Sequence, residues 1–130
     1  MARIEHIALW TDDIDRLAGF YAKYLGAHIG PRYVNPGKGY ESRFLTFDGG
    51  ARLELMRTST LRPVTHEPGV QRMGLTHLAI SLATERCVDV LTAELREAGF
   101  AVVDGPRRTG DGYYESVVLD PDGNRVELTV

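Results

Sequence analysis

Residues 5–26 run EHIALWTDDIDRLAGFYAKYLG. The segment opens as an alternating, β-prone run, passes through residues able to cap a helix, continues as an apolar stripe and stops at glycine. The alternation predicts a strand over 3–10. Thr11 or Asp12 can cap a helix running to about Leu25, with Gly26 as its stop. Ile14, Leu17, Phe20, Tyr21, Tyr24 and Leu25 form its apolar stripe. The same order restarts at LTHLAIS, residues 75–81. There it predicts a strand over 75–82 and a helix over about 85–98, ended by Gly99. After the first helix come a strand near 27–33, a loop at Pro36-Gly37-Lys38-Gly39, and a hairpin of 42–48 and 51–57 joined at Gly49-Gly50. After the second helix come a strand near 101–104 and a hairpin of 113–119 and 125–129. That hairpin turns on Asp120-Pro121-Asp122-Gly123-Asn124.

Chemistry-bearing residues repeat with the elements. His6 lies in IEHIALW and Glu54 in RLELM; His77 lies in LTHLAIS and Glu127 in RVELT. The pairs are separated by 48 and 50 residues. Tyr40-Glu41-Ser42 is echoed by Tyr114-Glu115-Ser116, and Gly49 by Gly123, 74 residues on. Self-similarity at so long a period points to two copies of one structural unit. The expected fold is α+β: two βαβββ modules forming a cupped mixed sheet with helices outside. Module 1 spans about 1–57, a linker about 58–73 and module 2 about 74–130, within one domain of 130 residues. Successive strand residues face opposite ways. His6 therefore goes with Ala8 and Trp10, Glu54 with Arg52 and Met56, His77 with Ala79 and Ser81, and Glu127 with Arg125 and Thr129. The greasier parity of each strand belongs under a helix. A solvated face would also account for any one of the four residues. Their common position in both repeats favours one divalent metal site at the seam.

Composition sets the frame. Hydrophobic residues make up 43% and charged residues 25%, ordinary for a globular domain. A net charge of −3 argues against nucleic acid or an anionic membrane surface as partner. Cys87 is the only cysteine, so no intrachain disulfide forms, which fits a reducing cytoplasm. It reads as a small apolar side chain on a helix. No apolar run approaches the roughly 20 residues of a transmembrane helix. MARIEHIALW is too short and too charged for a signal peptide. His66, in Thr65-His66-Glu67-Pro68, lies in the linker, where it either faces a partner subunit or stays exposed.

EHIALWTDDIDRLAGFYAKYLG, THLAIS and LDPDGNRVEL together resemble the glyoxalase I/bleomycin resistance/extradiol dioxygenase group, the vicinal oxygen chelate superfamily, over nearly the full chain. The resemblance implies paired βαβββ modules, a homodimer and a metal in the cup. Four ligands, His6, Glu54, His77 and Glu127, look most like bacterial glyoxalase I, which isomerises the hemithioacetal of methylglyoxal and glutathione. His at the first ligand resembles the nickel- or cobalt-activated type, with zinc the alternative. The match carries the catalytic base to Glu127, with Glu54 its counterpart. Glutathione-using members have Arg where Trp10 stands and Asn where Thr58 stands. These departures imply a smaller or less anionic substrate, with Trp10 as an apolar wall. Arg57, Arg72, Arg107 and Arg108 are candidate replacement cations, Arg57 and Arg108 first among them. The alternative functions are a small-molecule binding or resistance protein, and another metalloenzyme of the superfamily that does not use glutathione.

Overall fold

The computed structural model describes residues 1–65 and 70–130. His66, considered above as a partner contact, lies outside the described residues. The chain forms two compact units, Met1–Val64 and Thr65–Val130. Each is built on its own mixed sheet with one helix.

In the first unit β1 (His6–Trp10) leads into α1 (Ile14–Leu25). Then follow β2 (His28–Ile29), β3 (Tyr33–Asn35), β4 (Tyr40–Thr46) and β5 (Arg52–Thr58). The sheet order is β1-β5-β4-β2, with β3 also paired to β4. β1 and β5 are parallel; the remaining pairs are antiparallel. The single strand expected near 27–33 is two short ones. Between them Gly30 passes so close to β4 that a Cβ would sit 2.9 Å from the Phe44 carbonyl oxygen. Pro31, which follows it, has no N–H to give a ladder.

Asp13, not Thr11 or Asp12, caps α1. Its side chain accepts from the Arg16 N–H at 2.9 Å, and Thr11 Oγ1 accepts from the Asp13 N–H at 3.1 Å. The helix phase is set by the buried stripe Ile14, Leu17, Ala18, Phe20 and Tyr21, packed over Leu45, Leu53 and Leu55. Each leucine fully removed from water there stabilises the unit by about 1.5–3 kcal/mol.

The second unit repeats the plan with β6 (Leu78–Ser81), α2 (Glu85–Glu97), β7 (Val102–Arg108), β8 (Tyr114–Leu119) and β9 (Arg125–Thr129). Its sheet order is β6-β9-β8-β7, with β6 and β9 parallel. Thr84 caps α2, accepting from the Cys87 N–H at 3.2 Å. Gly99, at φ 92, turns the chain out of the helix while the Phe100 N–H bonds back to Leu95. Val88, Leu95, Val118, Val126 and Leu128 form the core. Within it Thr92 and Ser116 share a 2.7 Å hydrogen bond, so neither buried hydroxyl is left unpaired.

Strand pairing revises the repeat distance. Glu54 lies opposite Phe44 and Glu127 opposite Val117, both 73 residues apart. The left-handed turn glycines are Gly50 at φ 81 and Gly123 at φ 84, again 73 apart, rather than Gly49 and Gly123. The Tyr-Glu-Ser echo at 74 is therefore one residue out of step. A slip of one moves a strand residue to the other face. Tyr113 matches Tyr40 and Glu115 matches Ser42; Tyr114 and Glu41 point to the helix side.

Candidate functional site

The alternation read from the sequence holds on all four strands. His6, Ala8 and Trp10 are exposed while Ile7 and Leu9 are half-buried. Leu53 and Leu55 are buried against the helix side, and Glu54 and Met56 lie on the other face. Val126 and Leu128 are buried, with Glu127 and Thr129 opposite them. His77 immediately precedes β6 and keeps the parity of the exposed Ala79. Ala8 sits directly beside Glu54, and Ala79 beside Glu127. These small residues leave each imidazole, one step away, clear access to its carboxylate.

The result is the same pair twice. His6 Nε2 is 3.5 Å from Glu54 Oε2, and His77 Nε2 is 3.3 Å from Glu127 Oε2. Two ligands held at roughly 2 Å from one ion with an angle near 100° lie about 3 Å apart. The donor chemistry, imidazole nitrogen with carboxylate oxygen, suits a first-row divalent metal. Among the described residues no group of three or more His, Cys, Asp or Glu is arranged to hold one ion. Each unit by itself brings together two such side chains.

In the first unit, Glu5 closely contacts His6 Nδ1 through Oε2 and accepts from Arg52 Nε at 2.7 Å through Oε1. A histidine whose Nδ1 is held by a carboxylate has its Nε2 free for a metal, and the Glu5 contact offers His6 that support. His6 and Arg52 hold the Glu5 carboxyl below its usual range. The His6 ring meets Phe44 edge-on at 5.5 Å, and the Arg52 guanidinium lies 4.0 Å over Phe44. The Tyr40 hydroxyl donates to Glu54 Oε1 at 3.2 Å. Burial, together with the Glu54 carboxylate, pushes the Tyr40 phenol up, against a hydrogen bond with Ser42. The Tyr40 ring stands edge-on to Trp10 at 6.4 Å and to Tyr33 at 6.1 Å. Thr58 lies opposite Tyr40 on the same face.

The second unit surrounds its pair differently. Glu115 lies beside Glu127, and its carboxyl is pushed up by burial and then by Glu127, with Arg107 pulling it down. Arg107 Nη2 is 2.8 Å from Asp104 and 3.8 Å from Glu115. Asp104 pairs with Val117 and Arg107 with Glu115, so one extra residue bulges between them on β7. Gly105 makes the bulge possible: at φ 76 a Cβ would sit 2.6 Å from the Glu115 carbonyl oxygen.

The expected cations divide by face. Arg57 lies on the helix side, 3.6 Å from Glu41. Arg108 pairs with Tyr114, donates to Glu85 of α2 and covers the Tyr114 ring at 5.5 Å, again on the helix side. Neither joins the His–Glu face, whereas Arg107 does. The bulge reverses parity between Asp104 and Arg107, so Arg107 rather than Arg108 shares a face with Glu115. Glu5 had one sequence signal, its position directly before His6. Glu115 had none, because the 74-residue echo assigns it to the opposite face. Cys87 is exposed and accepts from Thr84 Oγ1 at 3.2 Å. Among the described residues, no helix is long and apolar enough to cross a membrane.

A family model described as Glyoxalase/Bleomycin resistance protein/Dioxygenase superfamily matches residues 3–128. Solved structures share the fold. A glyoxalase/bleomycin resistance protein/dioxygenase domain from Frankia sp. EAN1pec superposes with a TM-score of 0.82 at 20% identity, covering 100% of this chain and 98% of that one. The trypanothione-dependent glyoxalase I of Leishmania major gives 0.77 at 24% identity, covering 99% and 86%. Glyoxalase I from Zea mays gives 0.76 at 23% identity, covering 98% of this chain and 44% of that one. At these identities the likeness carries the fold alone. No curated protein matches the chain.

Proposed function

The chain belongs to the glyoxalase/bleomycin resistance protein/dioxygenase superfamily, and we propose that it is a metal-dependent lyase or isomerase of the glyoxalase I kind. The observation that carries this reading is the duplicated pair. Two units independently bring an imidazole Nε2 within 3.3–3.5 Å of a carboxylate oxygen on the face turned away from the helix. His6, Glu54, His77 and Glu127 would hold one divalent ion, Ni²⁺ or Co²⁺ in preference to Zn²⁺. The ion would supply a Lewis acid for two adjacent substrate oxygens. This reading requires a first unit to pair with a second unit, within one chain or across a homodimer.

The substrate is a small molecule with adjacent oxygens and a proton on the carbon beside a carbonyl. Glu127 takes that proton and returns it to the neighbouring carbon, so the reaction is an isomerisation with no net proton change. Glu54 lies at the matching position of the other repeat. Trp10, 51% exposed on the His6 face, gives the substrate an apolar wall. Arg57 and Arg108 are turned to the helix sides, and Arg107 is already paired with Asp104 at 2.8 Å. Both features favour a ligand less anionic than the glutathione hemithioacetal.

The test is isomerisation of the methylglyoxal–glutathione hemithioacetal and of smaller 2-hydroxycarbonyl compounds. Chelator-treated protein is assayed with Ni²⁺, Co²⁺ or Zn²⁺ restored. Metal-dependent turnover abolished by Glu127→Gln is expected. Stoichiometric binding of a small ligand with no metal uptake would instead establish the binding-protein alternative.

A further inference from the structure

We propose that Tyr40 is a positioning residue that fixes Glu54 as a one-oxygen donor, making the two repeat-related pairs unequal. The inference rests on the metal-site reading above. The two oxygens of Glu54 have separate partners: Oε1 accepts the Tyr40 hydroxyl at 3.2 Å, while Oε2 faces His6 Nε2 at 3.5 Å. A hydrogen bond to one oxygen restrains rotation about the terminal bond of Glu54 and keeps the other aimed at the metal position. Tyr40 is itself held. Its ring is wedged between Trp10 and Tyr33, both edge-on, and its backbone pairs with Thr58 at the end of β5.

The second unit holds its carboxylate differently, with no tyrosine hydroxyl against Glu127 among the described residues. Its structural match to Tyr40 is Tyr113, which precedes β8 and is 54% exposed. Tyr114, the match suggested by sequence, donates to Asp89 of α2 at 2.6 Å on the opposite face. The group beside Glu127 is a carboxylate, Glu115, where the first unit has Ser42. Glu54 is therefore restrained by a phenol hydroxyl, and Glu127 contacts a second carboxyl instead. Trp10 acquires a second task, as a wall for the Tyr40 ring.

The experiment measures Ni²⁺ and Zn²⁺ affinity by competition with a chromophoric chelator. It compares wild type, Tyr40→Phe, Glu54→Gln and the double variant, with Tyr113→Phe as control. The phenyl ring of Tyr40→Phe keeps the packing against Trp10 and Tyr33, and circular dichroism monitors the fold. Tyr40→Phe should weaken metal binding about tenfold, the usual effect of losing a hydrogen bond to a ligand. In the Glu54→Gln background the same change should cost little more, because both act through one carboxylate. Tyr113→Phe should match wild type. If wild type binds metal and Tyr40→Phe stays within about twofold of it, the positioning role is overturned while the proposed function stands. An equal loss in both backgrounds overturns it too. Failure of the wild type to bind either metal removes the proposed function and this inference together.

Discussion

Trp10 and Glu115 are residues whose chemistry departs from a symmetric repetition of the His–Glu pair. An indole offers area and one N–H, where arginine offers a forked cation for carboxylates. Trp10→Arg should therefore raise kcat/KM for the glutathione hemithioacetal about tenfold or more, since a charge-assisted hydrogen bond contributes roughly 1.5–3 kcal/mol. Steady-state kinetics of both proteins with the same metal checks this; an unchanged value would show that glutathione is not excluded by the indole. Glu115 is held above the ordinary carboxyl range by burial and by Glu127. The folded protein then binds that proton more tightly than the unfolded chain. The favourable contribution is full at low pH and lost as pH rises through the raised pKa. At neutral pH ionised Glu115 opposes folding, so Glu115→Gln should melt higher than wild type in metal-free protein. The gap should close as pH falls below the ordinary carboxyl range. Thermal melts across pH decide it, and a lower-melting variant at neutral pH would mean that Arg107 attraction outweighs the Glu127 repulsion.

β7 is the element on which the second unit's electrostatics turn. Its bulge at Gly105-Pro106 brings Arg107, rather than Arg108, over Glu115. Alanine at 105 would meet the Glu115 carbonyl oxygen and need a left-handed backbone. Gly105→Ala should cost more than about 1 kcal/mol of stability. Beyond that, it should weaken anionic ligands selectively, because a straightened strand turns Arg107 away. Chemical denaturation and ligand titration together test this; a stable variant with unaltered ligand preference would show that the bulge does not control Arg107. Helix α1 makes the opposite point. Its cap, stripe and stop all lie within 13–26, so the element is specified locally.

For the whole molecule, the decisive question is which units pair. Each unit brings one His–Glu pair, and a stable site for a divalent first-row metal needs more than two ligands. If first and second units pair across a homodimer, His6→Ala and His77→Ala chains should complement each other. A mixed dimer then carries one site with both damaged halves and one with both intact. Co-expression at equal levels should restore about a quarter of wild-type metal binding, one intact site in half of the dimers. No recovery, with dimers confirmed by light scattering, would mean that each chain completes its own site.

Strand alternation is a local property with period two. It is why the face shared by His6, Ala8 and Trp10, and that shared by Glu54 and Met56, could be read from sequence. Helix stops at Gly26 and Gly99 were readable for the same reason: the left-handed turn is a one-residue demand. Pairing register is not local. Strand pairing selects the 73-residue repeat over the 74-residue echo, sending Glu115 to the Glu127 side and Tyr114 to the helix. The β7 bulge inverts parity within a segment whose sequence reads as an ordinary strand and loop. The Tyr40–Glu54 hydrogen bond joins neighbouring antiparallel strands through a register that neither strand encodes alone. Sequence by itself thus determined the two-unit plan and which His and Glu share a face. Tertiary structure decided which side chains surround them, because those neighbours depend on register, and register is fixed by the packing of all the strands and helices together.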